Sequence, residues 1–219
     1  MKKKTIIIWL LLAAALGFRL ILAPLGTYRT DMNCWIGWSL RLQKGLATFY
    51  NSWCDYLPGY LYILLIWGKL YTFLKTTALS IPADYFYKIP PILSDLGAGF
   101  LIYKILKKIK KEKVALIAAT LYLSNTGIIA NSTLWGQADS FVASLALLIF
   151  LLTINKKWVL SSAVLLFLCI LKPTGFIIVP ALYLLIWKKE NLQKALGAGL
   201  VFLGLFFLAF LPFAKGQPL

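Results

Sequence analysis

Asp31 and Asp55 fall in one interval, Tyr28 to Tyr62, where tryptophans, tyrosines, Gly and Pro crowd together outside any long apolar run. Asp31 follows Arg29 and precedes Trp35 and Trp38. A carboxylate at a water–lipid boundary can take a proton from a hydroxyl, helped by any burial that raises its basicity. The same residue, or Thr30, can equally cap a helix running through Trp35 to Leu42. Asp55-Tyr56-Leu57-Pro58-Gly59-Tyr60 reads as a turn and a helix start, with Pro in the first turn.

Three more places carry groups with chemical use. Trp135-Gly136-Gln137-Ala138-Asp139 joins a compact turn to amide and carboxylate groups at a helix N-terminus, which suits a sugar's hydroxyls. Asp139 can also do no more there than oppose the helix dipole. Lys172 opens Lys172-Pro173-Thr174-Gly175 inside an apolar stretch. A half-buried ammonium calls for an anion, such as a lipid-linked phosphate, or else reaches the surface along its own stem. Asp95 lies within an apolar run, where an ionisable group is costly and marks function or pairing. Glu112 and Glu190 sit among lysines as ordinary ion-pair partners. With no histidine and no CxxC spacing, the chain excludes a His-containing metal site. Cys34 and Cys54 share the outer interval, which leaves a disulfide between them open, and Cys169 reads as a small buried hydrophobe.

The elements that must position these groups are apolar. Of 219 residues, 61% are hydrophobic and 14% charged, against about 25% charged in ordinary soluble domains. The apolar runs reach the roughly 20 residues that span a hydrocarbon core. The sequence predicts an all-α polytopic membrane protein. Its net charge of +16 does not indicate nucleic acid, because no basic stretch interleaves with aromatics as a stacking platform needs. The lysines cluster instead at 2–4, 104–113, 156–157 and 188–194, each against an apolar run. That is the positive-inside pattern, with anionic membrane lipids as partners.

Taken in order, the run from Thr5 to Ala23 is an uncleaved first helix with the N-terminus inside. Residues 24–88 form an outer loop, in which Trp35, Trp38, Leu42, Phe49 and Trp53 mark amphipathic helices lying at the headgroup level. The segment Leu57 to Phe73 stays on the outer side, because a crossing there would carry the lysines of 104–113 outward. Further spans follow over about residues 89–106, 114–130 and 138–154, then a pair of half-length spans over 158–187 broken at Lys172-Pro173, then 195–213, ending at Lys215. The expectation is about seven crossings in a single transmembrane module, residues 1–219, with Asp31, Asp55, Asp84, Asp139 and Lys172 on the outer face.

These pieces together resemble the GT-C class of integral-membrane glycosyltransferases, closest to bacterial relatives of the GPI mannosyltransferases and the dolichol-pathway glucosyltransferases. The residues that carry the likeness are Asp31 with Trp35 and Trp38, Gly45 with Phe49-Tyr50, and Asp55 to Tyr62. Lys88-Ile89-Pro90-Pro91 through Asp95, Asn131 with Trp135 to Ser140, and Lys172-Pro173 complete the series. The resemblance implies a GT-C-like bundle and inverting transfer of a hexose, mannose-like, from a polyprenyl-phosphate donor. The acceptor would be a glycan or lipid-linked hydroxyl at the outer face of a bacterial plasma membrane. It implies Asp31 as the base, with Arg29, Asp55, Tyr56, Trp135, Gln137, Asp139 and Lys172 binding substrate. Asp95 would be an intramembrane structural group, and no metal or cofactor is implied. Leu57 departs from the Pro-Pro often seen there, and family members carry more spans, so the chain reads as the N-terminal part of a longer fold. A catalytically silent scaffold and a lipid-linked sugar transporter are the rival readings. The latter predicts paired broken helices in two related halves.

Overall fold

The computed structural model describes residues 2–77 and 81–214, all helix, turn and loop, with no strand among them. Lys215 and the residues after it lie outside the described residues. Two compact units divide the chain: Met1–Asn33 with Ser80–Leu147, and Cys34–Leu79 with Leu148–Leu219.

The first unit starts with α1, Lys2–Leu22, which a 3-10 turn at Ala23–Leu25 closes around Pro24. Residues Arg29–Lys44 form α2, whose first turn belongs to this unit and whose later turns belong to the other. The chain returns as α4, Ala83–Phe86, and α5, Ile89–Ile109, once α3 (Pro58–Thr76) has been made in the second unit. Pro90 and Pro91 open α5, where a missing N–H costs nothing because first-turn donors have no intrahelical partner. The next helix, α6, Glu112–Leu123, packs on α1 and α5 around Ile8, Leu12, Tyr103, Ala115, Ala119 and Leu123. The packing is close because it is made of small residues. A Cβ on Gly99 would lie 2.7 Å from the Leu123 side chain.

After α6 the chain bends by 51°. Asn125 accepts a hydrogen bond from the Ile128 amide (3.2 Å) to cap α7, Thr126–Ile129. That turn runs into a π-helix, Ala130–Trp135, and then into α8, Asp139–Ile154.

The second unit holds the rest of α2, then α3, α9 (Trp158–Leu171), α10 (Ile178–Lys189) and α11 (Leu192–Ala214). Ser162 on α9 donates to the Ala198 carbonyl (2.6 Å) and shares a short hydrogen bond with Tyr183, tying α9, α10 and α11 together. Gly68 of α3 admits Ser39, whose Cβ would stand 2.9 Å from an added methyl. Lys172 is extended and Pro173–Ile177 form a 3-10 turn, so the helix breaks where Pro173 forbids its continuation.

One expectation is corrected. Among the described residues three helices, Ile6–Leu25, Ala83–Ile109 and Leu192–Ala214, are long and apolar enough to cross a membrane, and the bent pair Glu112–Leu123 with Thr126–Trp135 makes up to four, not about seven. The 16 residues of α8 and the 14 of α9 extend about 24 and 21 Å at 1.5 Å per residue, short of a core about 30 Å thick. Runs of apolar residues set the expected count, and a run does not show where its helix stops. The aromatics of α2 pack within the protein. Trp35 and Trp38 are buried, Trp35 edge-on to Tyr60 with centroids 5.9 Å apart, while Trp53 is 68% exposed. Residue for residue, a half-apolar helix face satisfies protein or lipid equally, so hydropathy does not tell the two apart. The coarse reading stands: this is an all-α chain whose apolar helices point to an integral membrane protein.

Candidate functional site

Asp31 sits in the first turn of α2, half-buried, and its carboxylate is met by two donors from 104 and 106 residues away. The Trp135 indole Nε1–H donates to Oδ2 at 2.9 Å and the Gln137 amide Nε2–H to the same atom at 2.8 Å. Both donors owe their aim to the π-helix and the residue after it. The wide turn brings the Gly136 and Gln137 amides onto one acceptor, the Asn131 carbonyl (3.0 and 2.9 Å). Gly136 then takes φ +84°, a left-handed conformation that suits glycine. The other end of the Gln137 side chain is also fixed, its Oε1 accepting from the Ala138 amide at 2.9 Å. Such wide turns recur at functional positions, because they displace side chains from α-helical register.

From the other side, Lys88 positions Asp31. This lysine is wholly buried, and its ammonium donates to the Ala23 carbonyl (2.7 Å), the Thr27 hydroxyl (3.0 Å) and, in a short contact, the Gly26 carbonyl. A cation at the C-terminal end of a helix satisfies carbonyls that have no intrahelical partner. Here it fixes the link from α1 to Tyr28 and so the start of α2. Arg29, expected to touch substrate, instead pairs with Asp84 beside Pro24 and Tyr85, and remains 72% exposed.

An open cavity of about 490 Å³ adjoins one of the carboxylate's partners, Trp135, and is also lined by Thr27, Tyr28, Gly127, Asn131 and Leu134. Tyr28 and Trp135, both in its lining, meet with ring planes tilted by 49° and centroids 4.9 Å apart. Asn131 and Gly127 also border a second cavity, about 300 Å³, which Asp95, Tyr122, Asn125, Asp139 and Ser140 share. Asp139 therefore joins Asp95 and not Asp31. Asp95 is buried, with Oδ2 3.8 Å from Arg19 Nε, and neither atom has a hydrogen-bond partner. Arg19 turns its Nη2 to the Leu123 carbonyl at 3.1 Å.

Asp55, Tyr56 and Lys172 belong to the second unit. Asp55 is exposed. Tyr56 packs between Trp38 and Tyr60, at centroid distances of 5.6 and 5.2 Å, and its carbonyl accepts the Tyr50 hydroxyl at 2.9 Å. Burial raises the Tyr50 phenol above its ordinary value, and burial does the same for the Cys54 thiol. No disulfide joins Cys34 to Cys54. Gly59 lies on the α9 terminus, where an added Cβ would come 2.6 Å from the Leu171 amide nitrogen. The Asp55–Gly59 turn and the Lys172 break thus meet backbone to backbone.

Lys88 and Arg19 had no role assigned from sequence. Their signal is that each is a single cation at the edge of, or inside, an apolar segment. As for a metal, no three His, Cys, Asp or Glu side chains converge among the described residues. No family model, curated protein or solved structure matches the chain.

Proposed function

We propose that the chain carries out inverting glycosyl transfer, moving a hexose from a polyprenyl-phosphate donor to a hydroxyl acceptor at the outer membrane face, with Asp31 as base. The observation that carries this reading is the Asp31 carboxylate held through Oδ2 by Trp135 and Gln137. With both donors on Oδ2, Oδ1 is the atom that would meet an incoming hydroxyl. In the reaction Oδ1 takes the acceptor's hydroxyl proton as the oxygen attacks the anomeric carbon. The bond to the lipid phosphate breaks on the opposite side, and the phosphate leaves with the electron pair. Trp135 and Tyr28 offer aromatic faces for a sugar ring, and the 490 Å³ cavity has room for one. Lys172, expected to support the leaving phosphate, belongs to the second unit.

The charge pattern supports the same sidedness. Lysines at 2–4 and 104–113 on the inner side require α1 to run outward and α5 inward. The bent pair then returns outward and delivers Trp135 and Gln137 to the face that Asp31 occupies. A bacterial plasma membrane with the N-terminus in the cytoplasm accommodates this arrangement. The second reading, movement of a lipid-linked sugar without transfer, draws on the buried Arg19–Asp95 pair beside its cavity.

The test uses membranes containing the full chain, fed labelled polyprenyl-phosphate mannose. The expected result is transfer of label to a polar acceptor, lost in Asp31→Asn. Undiminished transfer by Asp31→Asn overturns Asp31 as base. Passage of labelled lipid across vesicles without any new glycosidic bond selects the transport reading.

A further inference from the structure

The second unit contains a cavity of about 800 Å³ that the sugar-transfer reading does not use. Its rim is Lys156, Lys157, Trp158, Glu190 and Lys194, and its floor is Val159, Leu160, Gly197 and Ala198. The rim comes from two tight turns, one between α8 and α9 and one between α10 and α11.

The rim is built in an ordered way. Lys156 takes φ 57°, a left-handed conformation at a helix C-terminus where glycine is the usual occupant. A lysine there keeps its charge on the rim, and the turn is closed by the Lys156 amide on Thr153 (3.0 Å) and the Lys157 amide on Leu152 (2.9 Å). Across the cavity Lys194 donates to Glu190 at 2.5 Å, and Lys156 stands 4.0 Å from the same carboxylate. Lys194, then the Trp158 indole, hold the Glu190 carboxyl below its usual range. The balance is three ammonium groups against one carboxylate, around an apolar floor kept open by Gly197 and Ala198.

We infer that this cavity binds the headgroup of an anionic phospholipid, with an acyl chain lying on the α9–α11 floor. Charge complementarity selects the anion, and the floor selects a lipid over a free anion, since a small phosphate gains nothing from Val159 and Leu160. Trp158 at the rim suits the boundary between headgroup and acyl region. The inference rests on the membrane-spanning character of α11 and is independent of sugar transfer.

The full chain in detergent micelles, doped with equal phosphatidylglycerol and phosphatidylcholine, would be examined by native mass spectrometry for retained lipid. Phosphatidylglycerol should be retained preferentially. Lys156→Gln/Lys157→Gln/Lys194→Gln should weaken it by about 125-fold, taking roughly fivefold for each of the three charges removed. A control, Lys104→Gln/Lys108→Gln/Lys110→Gln, removes the same number of lysines from a surface cluster and should lower retention only by the few-fold expected of diffuse headgroup attraction. Equal retention of both lipids, or an equal loss in the control, overturns the site. Displacement of the lipid by millimolar inorganic phosphate overturns the lipid assignment and marks a free-anion site.

Discussion

The ammonium of Lys88 stands 2.7 Å from the Ala23 carbonyl, so the end of the first apolar helix is tied to the start of the fifth. Through that bond the segment leading to Asp31 has a fixed origin. Hydrogen bonds from charged donors contribute roughly 1.5–3 kcal/mol.

Lys88→Met removes the donor and leaves the Ala23 and Gly26 carbonyls without it. The expected outcome is a loss of about 2 kcal/mol, read as a lower melting temperature in detergent, together with reduced transfer. Lys88→Arg should restore little, because a planar guanidinium does not reach three acceptors arranged for a compact ammonium.

Trp135→Phe keeps a ring against Tyr28 and removes only the indole donor. Gln137→Leu removes the other donor at similar volume. Each should lower kcat by about tenfold to a hundredfold through misorientation of Asp31, with little change in KM. In an Asp31→Asn background either substitution should add almost nothing, since the groups act as a unit. Additive losses in the double variants would mean that the donors work separately from the carboxylate.

Gly59→Ala would force a methyl to within 2.6 Å of the Leu171 amide nitrogen, backbone that does not yield easily. Overpacking of this kind costs about 1–3 kcal/mol, which a thermal melt would show. Gly17→Ala, with nothing within 4 Å of the new carbon, serves as the comparison. It should be neutral or stabilising by up to about 1 kcal/mol in a helix interior.

Burial raises the Cys54 thiol, and the Tyr56 amide donating to its sulfur at 3.4 Å opposes this only in part. A raised thiol has a smaller thiolate fraction at any given pH, so alkylation is slower and reaches half its maximum at higher pH. With Cys34 and Cys169 replaced by Ser and Ala, the iodoacetamide rate at pH 8 should fall below that of an exposed cysteine. It should still be climbing where the exposed thiol has levelled off. A profile matching a free thiol would remove the burial account.

The apolar runs disclosed the helices, Pro173 disclosed the break after Leu171, and the turn after Trp135 disclosed a compact polar segment. In each case a local rule operates: Pro cannot continue a helix, and Gly136 alone takes a positive φ there at low cost. What stayed hidden is long-range. Nothing near Asp31 in sequence says that its partners lie at 135 and 137, or that Asp139, two residues further, turns to Asp95 instead. Arg29, expected to bind substrate, gave no sign in sequence of its pairing with Asp84, 55 positions away. The crossing count failed for another reason. Apolar runs do not mark where a helix stops, and α8 and α9 stop at 16 and 14 residues.

The wide turn from Ala130 to Trp135 holds one residue more than an α-helical path would need. Excising a single residue there would let the ladder tighten to ordinary pitch and swing all that follows by about 100°. Helix length and apolarity would hardly change, so insertion and bulk stability would survive. The indole and the amide would nevertheless face elsewhere, leaving the carboxylate without either companion.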